Sequence, residues 1–335
     1  VFDAGEIAFA WAKASGIVGK TFLGPRGATL LSVSRLSELD RLLFPDSPAD
    51  LPERELSVVL ERRIAERAVS RTLRIVSAFS SPPSAVKRLV SAFEYEAFSR
   101  LLAASVSGER NPPLVPDLGP YRTLRSEAYP DLAGMTEGTE FAWAAEAIAG
   151  GTTLLDVETE LDRRYYAALW NDVAALPSGE SQAFQRLLAE EISLKNIVCA
   201  LRLRVYYGMV GDELRRRLID VPAYGGSLAD EALATESYAL DRFEDWKKWK
   251  RRYLLGDAAV GDSWGIDPRI VQNAAAGRLY RLARSLFRAN PCSLGAIACF
   301  ARLVLFEEDL LTSVAEGLAL GIVPKDAIAS LGVGV

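Results

Sequence analysis

EEISLKNIVCALRLRVYYGM, from Glu190 to Met209, is the stretch from which the rest of the chain is read. Leu187, Leu194, Val198, Leu201 and Val205 recur at alternating helical steps, and Ile192, Ile197 and Tyr206 widen the apolar stripe. That pattern predicts one long helix buried over most of its circumference. Lys195, Asn196, Arg202 and Arg204 are set into this apolar surface. A buried amide or guanidinium destabilises a fold unless it finds a partner, so these residues are expected to have specific work. Arg202 and Arg204 are two positions apart, hence roughly opposed on a helix, and cannot share one apolar stripe.

Composition narrows the classes. A chain of 335 residues that is 50% apolar and 25% charged can bury a sizeable core, and the length suggests two or three units. The 39 basic and 44 acidic residues give a net charge of −5, which argues against nucleic acid as a partner. Cys199, Cys292 and Cys299 sit in apolar helical sequence and read as core thiols of a reducing compartment, with Cys292 and Cys299 able to share a helix face. Zinc needs about four ligands, and there is no histidine to supply any. The best apolar window, Leu294 to Phe306, is broken by Arg302 and stopped by Glu307, so no membrane span is expected. The opening VFDAGEIAFAWAKA has acids before its lysine and does not read as a secretory signal.

Further elements fall on either side. Asp50 and Pro52 mark a helix start, and Leu56, Leu60, Ile64, Ala68, Thr72, Ile75 and Phe79 repeat at steps of three or four. A second helix is expected over Ala85 to Val106. Gly108 to Tyr121, with four prolines, is the best loop or boundary. Asp156 and Glu160 are placed to cap and charge another helix N-terminus. Asn290-Pro291 reads as the N-cap and first residue of a late helix. Leu-Asp-Arg occurs at 39–41, 161–163 and 240–242, each time ahead of a helix carrying FEYEAFSRLL, EISLKNIVCALR or PCSLGAIACFARL. We read these as three diverged copies of one unit, 1–124, 125–211 and 212–335. Residues 254–272, LLGDAAVGDSWGIDPRIVQ, read as an insertion in the third.

SLKNIVCALRLR with its short aromatic-glycine exit resembles the central helix of the C subunit of bacterial and archaeal A/V-type ATPases, whose eukaryotic counterpart is the d subunit. The family pattern has an acidic residue, Asn three positions on and Arg six after that. This chain keeps Asn196 and Arg202 and has Ser193 in the place of the acid. The tail resembles the family's ending through Glu307, Glu308, Gly321, Ile322, Pro324 and Ile328. The resemblance implies an all-α fold of three units in a pseudo-threefold funnel. It implies a non-catalytic central-stalk subunit, peripheral on the cytoplasmic face of the membrane. Its partners would be the axle of the catalytic head and the proteolipid rotor ring, with no cofactor, nucleotide or nucleic acid. On that reading one of Arg202 and Arg204 braces a neighbouring unit through a carboxylate while the other faces the funnel.

Three other stretches invite chemistry. Gly261-Asp-Ser-Trp-Gly265 has the spacing of a nucleophile elbow, but without a histidine base Ser263 lacks an activator. Ala14-Ser-Gly-Ile-Val-Gly19-Lys20-Thr21 approaches a phosphate loop, yet has Ala14 for the leading glycine and Gly24-Pro25 where a helix must run, and reads better as an amphipathic helix. Trp246-Lys-Lys-Trp-Lys-Arg-Arg-Tyr253 interleaves aromatics with Lys247, Lys248, Lys250, Arg251 and Arg252. Such a run suits an acidic partner or lipid headgroups, or a solvated helix C-terminus whose cations offset the dipole. Glu190-Glu191 and Glu307-Glu308 read as solvated faces. Together with Asn196, Arg202 and Arg204, the basic run is the expected partner interface. The alternatives are a helical-repeat scaffold for peptide or signalling partners and, behind it, a hydrolase using Ser263.

Overall fold

The computed structural model describes residues 3–223, 225–256 and 264–330. The helices are α1 Ala4–Val18, α2 Leu36–Leu43, α3 Glu53–Val76, α4 Ser84–Val106, α5 Leu132–Thr136, α6 Ala142–Ala149 and α7 Leu154–Ala174. They continue as α8 Ser178–Tyr207, α9 Gly211–Arg216, α10 Asp230–Leu233, α11 Phe243–Trp246, α12 Pro268–Ala289, α13 Leu294–Ala319 and α14 Pro324–Ser330. Among the described residues, strand is confined to an antiparallel pair, β1 Pro222–Ala223 and β2 Gly226–Ser227. The expected all-α class holds.

Contacts gather the chain into two compact units: Val1–Pro82 with Ser178–Leu187 and Ala239–Val335, and Pro83–Pro177 with Leu188–Tyr238. Both expected joins, at 124/125 and 211/212, fall inside the second. α8 supplies residues to each.

In the first unit α13 packs against α3, α12 and α1. All seven residues of the α3 periodicity, Leu56 through Phe79, are buried. α13 starts later than Asn290-Pro291 implies. Asn290 closes α12, and Ser293 caps α13 by accepting the Ala296 N–H at 3.1 Å. A serine hydroxyl satisfies a first-turn amide directly, whereas an Asn-Pro pair only permits a start. Cys292 therefore lies outside the helix, exposed at φ 52°, and shares no helix face with the buried Cys299.

In the second unit α4 lies along α7 over a core of Phe98, Leu102, Leu124, Phe141, Ala144, Val157 and Leu161. The chain just after the proline-rich segment is tied down by Glu94, 3% exposed, whose carboxylate accepts from the backbone of Thr123 at 2.5 Å and of Leu124 at 2.8 Å, and from the Thr123 hydroxyl. The N-cap of α7 is Thr153. Its Oγ1 accepts from the Asp156 amide at 3.2 Å and donates to that carboxylate at 2.6 Å, so Asp156, the third helical residue, pairs with the cap. α8 ends at Gly208, whose φ of 66° is the left-handed closure glycine allows at no steric penalty.

The three Leu-Asp-Arg segments occupy different local structures. The first lies in α2 with Asp40 buried against Arg63, the second is inside α7, and the third lies in a turn before α11. Common residues repeated over three positions do not fix backbone conformation.

Candidate partner interface

α8 begins well ahead of Glu190 and, from Leu187 to Arg204, is nearly enclosed. Only Lys195 and Arg202 of that span are exposed. They are seven residues apart, two turns along one line, and Tyr206, 58% exposed, extends it by another turn. Tyr206 thus does not widen the apolar stripe as its periodicity suggests. Lys195 reaches Asp162 of α7 at 3.0 Å.

The polar inlay separates into an inner and an outer set. Asn196, 1% exposed, donates from Nδ2 to the carbonyls of Ile219 at 2.9 Å and Leu228 at 3.0 Å and accepts the Ile219 N–H at 2.8 Å. Arg204, 7% exposed, donates to the carbonyls of Thr235 at 2.7 Å and Tyr238 at 2.9 Å. Residues 217–223 and 225–238 run through brief helices, turns and a two-residue ladder, leaving backbone groups that regular structure would have paired. The two side chains of α8 satisfy them. Burial draws the Arg204 guanidinium down, and the nearby Glu236 carboxylate opposes this. The expected carboxylate brace is replaced by carbonyls: Glu236 instead accepts the Gly211 N–H at 3.1 Å. Arg202 faces the other way and is exposed. Ser193, at the position of the family's acid, is buried.

The basic run is not the end of a long helix. α11 is one turn, and 247–251 continue in turns, with Trp246 and Trp249 both buried. Their rings meet edge to face with centroids 5.2 Å apart, and Trp246 Nε1 donates to the Ala239 carbonyl at 2.6 Å. Lys247, Lys248, Lys250 and Arg252 are left exposed and Arg251 partly so. A pocket of about 370 Å³ opens between Phe243, Trp246, Lys247, Arg252, Tyr253 and Leu255.

The phosphate-loop reading finds no such assembly among the described residues. Ala14 to Val18 is the last turn of α1, and no helix starts at Lys20. Ser263 lies outside the described residues. No helix among those described is long and apolar enough to cross a membrane.

Two arrangements escape the sequence reading. Glu307 is not on a solvated face: it is 2% exposed, accepts the Phe22 N–H at 2.9 Å, and pairs with Arg71 and, at 3.7 Å, with Arg67. Burial, with Arg67 and Arg26 close by, lowers the Arg71 guanidinium to about 9, so the carboxylate is what holds this cluster of cations together. The other arrangement is an arginine face on α12, Arg281, Arg284 and Arg288, readable as a basic spacing of three and four.

Residues 47–331 match the family model described as ATP synthase (C/AC39) subunit. The chain belongs to that family. Within the C/AC39 match fall α3 through α14, the Asn196 and Arg204 braces and the basic run. An uncharacterized protein of Treponema pallidum (strain Nichols) is 26% identical over 316 residues, which covers 93% of this chain and 92% of that one. The C subunit of the A-type ATP synthase of Methanococcoides burtonii is 28% identical over 104 residues, 28% of this chain and 29% of that protein.

Proposed function

We propose that the chain is the non-catalytic central-stalk subunit of an A/V-type ATPase, peripheral on the cytoplasmic face, transmitting torque between the axle of the ATP-driven or ATP-forming head and the membrane rotor ring. The observation that carries the proposal is membership of the C/AC39 family across residues 47–331. In this role the axle enters a funnel of three helical units, as the resemblance implies. Mechanical coupling requires rigidity and two interfaces and no reacting group. Asn196 and Arg204 serve the rigidity by fixing residues 217–223 and 225–238 to α8. Arg202, Lys247, Lys248, Lys250, Arg251 and Arg252 supply the interface charge.

Co-expression with the head, axle and ring subunits tests this. A tagged chain should bring down axle and ring together, and charge reversal across Lys247 to Arg252 should weaken that capture without loss of helix content. A complex that assembles and turns over ATP equally well without the chain would overturn the assignment. Calorimetric titration of the isolated chain with Mg-ATP should show no binding, and saturable binding lost in Lys20→Ala would contradict the non-catalytic reading.

A further inference from the structure

α12 runs for 22 residues without a single aspartate or glutamate. Its apolar side, with Leu279, Leu282, Ala283, Leu286 and Phe287, is buried. Its other side carries Arg281 and Arg288, both exposed, with the half-buried Arg284 between them. These three line an open concavity of about 610 Å³ with Tyr280 and Ser285. Arg284 is steadied by the Tyr280 hydroxyl at 3.2 Å, and that hydroxyl donates to the Leu23 carbonyl at 2.6 Å. Arg281 and Arg288 have no carboxylate within 4.0 Å among the described residues, although the chain as a whole is acidic at −5. Favourable interaction with the helix dipole accounts for Arg288 in the last turn but not for Arg281 two turns earlier, because that effect fades beyond one turn.

We propose that this face docks an acidic helical segment of a partner polypeptide, through carboxylates spaced three or four residues apart. Arg281 to Arg288 spans about 10 Å along the axis, the rise of two helical turns, so carboxylates at i, i+3 or i+4, and i+7 of an antiparallel or parallel helix fall opposite the three guanidiniums. A guanidinium receives a carboxylate through two parallel N–H···O bonds, which gives the match direction as well as charge. A lipid surface fits less well. Interfacial helices place exposed aromatic or aliphatic side chains beside their cations, and here the apolar residues of α12 from Leu279 to Phe287, around the three arginines, are already buried in the chain. The surface stands whatever assembly the chain serves, since it depends only on α12 and its partner.

The test uses the full chain and a designed alanine-rich helical peptide bearing Glu at i, i+4 and i+7, with a Gln-substituted peptide as control. Fluorescence anisotropy at low and high salt follows binding, and flotation with vesicles containing phosphatidylserine follows lipid. The acidic peptide should bind, more weakly at high salt, and R281Q/R284Q/R288Q should lose about ten-fold or more in affinity, as expected for the loss of three exposed charge pairs. R281E/R288E, which leaves the Tyr280-bound Arg284 intact, should lose at least as much while keeping the parent melting temperature. Equal binding of the Gln peptide, or unchanged binding by both variants, overturns the proposal. So does vesicle capture that the variants abolish while peptide binding persists.

Discussion

Asn196 and Ile219 exchange two hydrogen bonds, amide to carbonyl at 2.9 Å and backbone N–H to amide oxygen at 2.8 Å, so a side chain of α8 pairs with a loop as one strand pairs with another. Both groups are buried. Asn196→Ala leaves the Ile219 N–H and the Ile219 and Leu228 carbonyls without partners, and a buried unsatisfied group costs about 1–3 kcal/mol. A loss of about 3 kcal/mol in denaturant unfolding is expected for the set. Asn196→Asp removes both donors and sets a carboxylate against two carbonyls. That variant's carboxyl should be raised in the folded state, so its stability should recover as pH falls. A flat pH response would argue against this geometry.

Arg202 and Arg204 divide by what they touch. Arg204→Ala strips two carbonyls of their donor and should lower the melting point markedly, on the order of 2 kcal/mol or more for hydrogen bonds to a charged group. Arg202→Ala should stay within about 1 kcal/mol, the range of exposed charges. Thermal denaturation of the two proteins side by side settles the assignment, and equal losses would refute it.

How much of this is legible in the sequence follows from how local each signal is. Helix periodicity depends on residues a few positions apart, which is why the buried faces of α3 and, apart from the exposed Tyr206, of α8 are recoverable from spacing alone. The opposed roles of Arg202 and Arg204 follow from the same geometry. Their partners do not, because Thr235 and Tyr238 lie more than thirty positions away from Arg204 and present backbone, which every residue carries. Glu307 is misread from sequence for the same reason: Arg71 is 236 positions distant, and nothing near Glu307 in the chain reveals that it turns inward. The tryptophans of the basic run are legible as aromatics in a helical register, yet the end of α11 after one turn, at Trp246, is not.

Glu307→Gln removes the only carboxylate recorded in ion pairs with Arg67 and Arg71 among the described residues. Removing one partner of a buried pair typically costs about 3–5 kcal/mol, and the 15% and 18% side-chain exposure of the two arginines puts the expectation at the low end, about 3 kcal/mol. Combining Glu307→Gln with Arg71→Met should recover part of the loss by relieving the uncompensated charge. Additive losses in the double variant, read by chemical denaturation, would show that the two residues do not act together.

Gly295 sets the approach of α13 to the start of α8. A Cβ there would stand 2.6 Å from the Ala183 Cβ and 3.1 Å from the Phe184 nitrogen, closer than packed atoms allow. The Glu180 carboxylate accepts the Leu294 N–H at 2.7 Å and holds this end in place. In an unstrained helix Gly→Ala stabilises by up to about 1 kcal/mol. Here Gly295→Ala should instead destabilise by roughly 1–3 kcal/mol, as overpacking does. A second change, Ala183→Gly, should restore most of it. A stabilised single variant would mean the contact is looser than described.

The thiols give a readout that needs no substitution. Cys292 is exposed, at the turn before α13. Cys299 is buried, and burial pushes its thiol up to about 12. At pH 8 a thiol with that value is about one part in ten thousand thiolate, the reactive form, and it is also shielded from reagent. The Cys199 thiol is likewise raised, by burial first and by the Asp162 carboxylate second. Native protein treated with a thiol-reactive chromophore at pH 8 should therefore label rapidly at Cys292 alone, one equivalent per chain. All three should react in denaturant. Because the elevated value belongs to the buried thiol, labelling of Cys299 by transient exposure should rise only about three-fold from pH 8 to 9, as for an ordinary thiol, without becoming comparable to Cys292. Mass spectrometry of the labelled peptides identifies the site, and rapid native modification of Cys299 would show that α13 is not packed as described.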